Sequence, residues 1–193
     1  MDILLFYKIS SLINALVATV LGFIVYFRNK KELVNRVFAL FFSLVAIWSY
    51  ASFFWFTVKN KDFILFNFRI FLMGASIFIA ILFFHSVLAL TNKIKEYKKF
   101  LIIGYAIFLF FLIVDCFTPL FLRNLRKELF FDFWPEPGVL FHPYLVIWYF
   151  YFLAALYVLI IEIKRASNSN FKASISYKIQ LKYILIGAII GFI

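Results

Sequence analysis

The run ISSLINALVATVLGFIVYF, Ile9 to Phe27, is 19 residues long and carries no formal charge. A helix rises about 1.5 Å per residue, so such a run reaches about 28 Å, close to the thickness of a bilayer's hydrocarbon core. Working outward from it, apolar runs recur at 37–58, 70–91, 100–119 and 144–163, and another opens at Tyr183. Outer-membrane strands need only about 10 residues and alternate in polarity. These runs are about twice as long and apolar on all sides, which points to helices. The pattern predicts an all-α polytopic membrane bundle of five complete spans plus part of a sixth, forming one incomplete membrane-embedded domain over 1–193. The last run, 183–193, covers only about half a bilayer, so the chain is expected to stop within its sixth span.

Composition excludes other classes. Of the 193 residues 66% are hydrophobic and the mean hydropathy is +1.00, whereas a soluble domain of this size must keep much of its surface polar. A net charge of +11 does not point to nucleic acid. The basic residues sit in short links between apolar runs, where anionic headgroups are the expected partners. The single cysteine, Cys116, excludes an internal disulfide. The first run ends at Phe27-Arg28-Asn29-Lys30 without a small-residue cleavage site, so it reads as a retained anchor.

Loop charge sets the orientation. Thirteen basic residues fall in the first, third and fifth links and seven on the opposite side, which places the N-terminus outside. The lipid bilayer is the first partner this implies.

Small residues form stripes: Ala18 and Gly22 in the first span, Ser43 in the second, and Gly187 and Gly191 as a G-x-x-x-G in the sixth. In lipid, small residues let helix backbones approach, so these are expected at helix contacts. Ionisable residues within spans are costly and are candidates for function. His85 is expected to hydrogen-bond a neighbouring helix as a neutral ring. Asp115 and Arg69 lie at similar depth near the outer ends of their spans and could pair. Glu162 reads as an interfacial residue beside Lys164 and Arg165. No zinc, phosphate-loop or nucleophile motif occurs, so no catalytic residue, metal or cofactor is expected in this chain.

The outer link 120–143 carries Pro135, Pro137, Gly138 and Pro143. The prolines stiffen it, and Gly138 is expected to permit a turn. Trp134, Tyr144 and Trp148 suit an interfacial aromatic belt. The sharper alternative is a small cap over the outer mouth that recognises something apolar. The candidate ligand residues are then Trp134, Pro137, Gly138 and His142, with Tyr144, Trp148 and Tyr151 lining a rim for the cap to close against.

Several short motifs here are familiar together. Asn35-Arg36-Val37-Phe38 opens the second run, and Trp48 follows ten residues after Phe38. Pro137-Gly138-x-x-x-His142-Pro143-Tyr144 leads into the fifth run. Gln180-Leu181-Lys182-Tyr183 opens the sixth, with Gly187 and Gly191-Phe192 within it. In these the chain resembles the N-terminal seven-helix membrane region of prokaryotic sensor histidine kinases. The resemblance implies a sensory input domain in the cytoplasmic membrane. It further implies a seventh helix, a cytoplasmic linker, often with a PAS module, a dimerising histidine helix pair and a kinase domain. ATP would then bind only downstream, homodimers would form through downstream parts, and a response regulator would be the partner. A fragment of a polytopic transporter is the alternative. Broken helices or paired polar residues at mid-membrane would favour it.

Overall fold

The computed structural model describes residues 3–167 and 172–192, without the side chains of 172–174 and 192. The helices are α1 (Ile3–Arg28), α2 (Leu33–Thr57), α3 (Lys61–Asn67), α4 (Gly74–Leu90), α5 (Lys98–Phe117), α6 (Phe141–Ser167) and α7 (Lys172–Phe192). A π-helical segment, Phe68–Met73, fuses α3 to α4, so the third span is one continuous helical rod, Lys61–Leu90. Among the described residues five rods are long and apolar enough to cross a membrane. The protein is an all-α multi-pass bundle, and the apolar run from Tyr183 lies in α7.

Helices extend beyond the apolar runs because polar flanks keep helical geometry in the interfacial zone. The link expected at 164–182 is mostly helix, with α6 reaching Ser167 and α7 resuming at Lys172. Residues 168–171 and Ile193 lie outside the described residues.

At the centre stands α4, with α2, α5 and α6 packed around it. Its sequence is apolar on every face, and Ile77, Ala80, Ile81, Phe84, Val87 and Leu88 are fully buried, as expected of a helix surrounded by other helices. A tight helix approach lies at Gly104 of α5. A Cβ there would stand 2.6 Å from Ile81 Cδ1 and 2.6 Å from Tyr151 Cζ, so α4, α5 and α6 converge where one residue has no side chain.

α1 packs chiefly on α2. Ala18 and Gly22 are buried, and a Cβ at Gly22 would lie 3.6 Å from the Ala39 carbonyl and 3.9 Å from Ser43 N. Asn14 Nδ2 donates to Ser49 Oγ across the same seam at 2.7 Å. At Gly187 and Gly191 no atom of the described residues lies within 4 Å of where a Cβ would stand.

On the side that loop charge assigns to the cytoplasm, Lys93 Nζ lies 3.1 Å from Glu162 Oε2 of α6, and Arg165 lies 3.8 Å from the same oxygen. Glu162 is therefore more than an interfacial residue, because it ties α6 to the end of α4. The Lys93 and Glu162 side chains keep only 10% and 17% of their exposure. Glu162→Gln is expected to destabilise the bundle by about 1–2 kcal/mol, below the loss for a wholly buried pair. A double-mutant cycle with Lys93→Met, followed by unfolding in mixed micelles, reads the coupling.

Candidate functional site

The outer link folds as an antiparallel β-hairpin, β1 (Leu122–Glu128) and β2 (Phe131–Pro137). It pairs Leu122 with Pro137, Leu125 with Pro135 and Glu128 with Phe131. Register shifts lie between Leu122 and Asn124 and between Arg126 and Glu128. Residues three apart on a regular strand face opposite ways. The first shift lets Leu122 and Leu125 both turn inward, where they are 3% and 5% exposed. Pro135 and Pro137 are tolerated because each strand of a two-stranded sheet is an edge and prolines need no partner on that side.

Two details set this hairpin apart from one with the usual turn signals. Its turn uses Leu129 at φ 52°, a conformation usually taken by glycine or asparagine. Gly138 has no positive φ and is needed for a different reason. A Cβ there would stand 2.1 Å from the Leu120 carbonyl oxygen. The expected turn after Pro137 is present, closed by Phe141 N donating to the Gly138 carbonyl at 3.2 Å, but it is the close chain crossing that leaves no room for a Cβ.

Three elements hold the hairpin over the mouth of the bundle. The Trp55 indole of α2 donates to the Phe133 carbonyl. Arg69 Nη2, from the π segment, donates to the Leu122 carbonyl at 3.1 Å. At the base, Gly138 N donates to Phe121 O at 2.8 Å and Leu140 N to Leu120 O at 2.9 Å. Leu122 and Leu125 sit in an apolar cluster with Ala51, Ile64, Phe68 and Leu72. At the tip, Phe131 meets the rings of Trp55 (5.5 Å), Phe56 (5.8 Å) and Tyr7 (5.9 Å). The sequence gives no pattern that marks Trp55 or Tyr7 as partners of the link; they meet it only because the hairpin crosses to the ends of α1 and α2.

Beneath the hairpin base is an apolar cavity of about 170 Å³ lined by Met73, Phe121, Leu122, Trp134, Pro135, Pro137 and Phe141. A second, of about 160 Å³, adjoins it, sharing Met73 and Phe141 and reaching Ser76, Tyr144, Leu145, Trp148 and Tyr149.

The sequence candidates divide. Trp134 and Pro137 line the first cavity, and Gly138 closes the hairpin base. Tyr144 and Trp148 border the second cavity but face inward rather than forming an open rim. The Tyr144 hydroxyl is 3.3 Å from Ser76 Oγ, and Trp148 Nε1 donates to the Ser76 carbonyl at 3.0 Å. Tyr151 lies deeper, donating to the Phe100 carbonyl at 2.9 Å and stacking on the Phe100 ring. His142 is exposed and lines neither cavity. Aromatic spacing along α6 placed these residues on one face, and that face is the packed one.

The intramembrane polar residues also separate. His85 Nδ1 lies 3.0 Å from the Tyr105 hydroxyl of α5. Asp115 is fully buried, and its carboxylate oxygens accept no hydrogen bond among the described residues. Among the described residues no ion pair within 4.0 Å joins Arg69 to it; one guanidinium nitrogen reaches the strand carbonyl of Leu122, and Nε has no hydrogen-bond partner among those residues. A carbonyl at the start of β1 is within the fork's reach, and the arginine takes it. Among the described residues no group of three or more His, Cys, Asp or Glu comes together to hold a metal.

Among the comparisons with known proteins, neither a curated protein nor a solved structure matches this chain significantly. A family model, the N-terminal 7TM region of histidine kinase, matches residues 10–193. That match runs from within α1 through the hairpin to the end of α7, so the capped bundle is a membrane sensory input region and the chain belongs to the N-terminal seven-transmembrane region of histidine kinases.

Proposed function

We propose that this region is the stimulus-receiving part of a two-component sensor kinase in a prokaryotic cytoplasmic membrane, and that the hairpin cap registers the stimulus. The observation that carries this reading is the continuity of α6. It begins at the cap, at Phe141, and runs 27 residues to Ser167, carrying Glu162 into the ion pair with Lys93 at the opposite membrane face. A rod fixed at both ends converts a shift of the cap into a shift at the cytoplasmic exit, provided that two packings differ by only a few kcal/mol. In this proposal ATP binds a downstream kinase domain, the protein dimerises through downstream elements, and a response regulator receives the phosphoryl group.

Trp134 belongs to the cap and makes no contact with the Lys93–Glu162 clasp. Trp134→Ala in the full-length protein is expected to change phosphoryl transfer to the response regulator at least about threefold, since about 0.7 kcal/mol of bias suffices for that shift. Membrane abundance should stay unchanged. Unaltered transfer at equal abundance would reduce the tryptophan to a membrane-interface anchor.

A further inference from the structure

We propose that the cavity under the hairpin base binds a small uncharged aromatic or hydrocarbon molecule of about six to ten non-hydrogen atoms, admitted sideways from the outer leaflet. The inference rests on reading the cap as the receiving element and names the class of molecule it receives.

Size and lining decide the class. An apolar cavity of about 150 Å³ stays dry and accepts benzene, and this one holds about 170 Å³. Its walls offer ring faces from Phe121, Trp134 and Phe141 and a polarisable thioether from Met73, groups that pack against aromatic or aliphatic guests. No charged side chain lines it among the described residues, so an ion or sugar would lose its hydration without replacement. The space is also well below the roughly 300–1,000 Å³ typical of sites for larger ligands.

The neighbouring cavity supplies the route. It lies between Ser76 of α4 and Leu145, Trp148 and Tyr149 of α6, and Tyr149 is 51% exposed on the outside of the bundle. A molecule of this class concentrates in the bilayer and reaches the cap through that gap. Met73 and Phe141 belong to both cavities and form the partition between them. An unbranched methionine side chain is well suited to moving aside. Occupancy is felt at Leu122, which is a wall of the cavity and also the residue whose carbonyl Arg69 holds.

The test uses full-length protein in nanodiscs and phenyl(trifluoromethyl)diazirine as photolabel, with labelled positions read by mass spectrometry. Lipid-facing residues label in proportion to probe concentration. Labelling at Met73, Trp134 and Phe141 is expected to saturate. Toluene at ten times its half-saturating concentration should lower it about tenfold, whereas benzoate should not. Met73→Trp, which fills the partition, should abolish the saturable component, and Met73→Ala should retain it. Labelling at these positions that rises linearly, ignores toluene or survives Met73→Trp would overturn the site, and an acyl chain filling the cavity would give that linear result. The two readings fail separately. Saturable labelling with phosphoryl transfer indifferent to both toluene and Trp134→Ala would sink the sensing role and leave the binding site. A transfer rate that responds to Trp134→Ala without saturable labelling would sink the ligand class and leave the sensing role.

Discussion

Tyr144→Ala is expected to loosen the bundle by about 2–4 kcal/mol, the largest loss from any single truncation on α6. Tyr144 is 2% exposed and stands among Phe108 and Phe111 of α5, Phe121 at the hairpin base, and Phe141, with ring centroids between 4.9 and 6.4 Å. Removing the ring opens a void where α4, α5, α6 and the hairpin meet. The figure sits below that for a water-soluble core because the separated helices of a membrane protein are already in an apolar solvent, so lost packing dominates over lost burial. Tyr144→Phe isolates the hydroxyl. It should cost only about 0.6 kcal/mol, typical of one hydrogen bond between membrane helices, because the contact with Ser76 is 3.3 Å long. Reversible unfolding of the two variants in mixed micelles checks the ordering. Equal losses would mean that the hydroxyl, rather than the ring, carries the site.

Gly138→Ala is expected to cost about 2–3 kcal/mol, concentrated in the hairpin. The added methyl would meet the Leu120 carbonyl oxygen at 2.1 Å, its carbon at 2.4 Å and the Pro119 carbonyl oxygen at 2.7 Å. All three are backbone atoms, so no rotamer change relieves the overlap and the two chain segments must part. Parting breaks the bonds from Gly138 N to Phe121 O and from Leu140 N to Leu120 O. Amide exchange in Leu122–Pro137 should accelerate by about two orders of magnitude, with α4 and α5 unaffected. Exchange that rises equally across the bundle would show that the cap and the helices open as one unit.

The helices were legible because each rests on a property of the sequence alone. A run such as Ile9–Phe27 must satisfy its backbone internally in lipid, and only a helix or a closed barrel does so. The hairpin was not legible. Its alternation is broken by register shifts on β1, its turn residue is Leu129, and its prolines resemble those of an irregular loop. The packed side of α6 was legible as a face, but its direction was not, because an aromatic stripe has the same spacing whether it lines a rim or a core. Gly104 carries no pattern in sequence; its role comes from Tyr151 and Ile81 arriving from two other helices. Arg69 was expected opposite Asp115 by depth, and depth says nothing of the strand carbonyl that takes its guanidinium.

The hairpin's attachments also set a timetable for assembly. Phe133 bonds to a tryptophan made 78 residues earlier, and Leu122 to an arginine made 53 residues earlier. Its closing bonds need Gly138 and Leu140, at the threshold of α6. A ribosome delivers these pieces in order, N-terminal first. The first three rods must therefore be in the membrane, with their outer ends assembled, before the cap has anything to close upon. The cap becomes a late checkpoint of biosynthesis: a chain with a misplaced early span would reach the surface with its outer door unlatched.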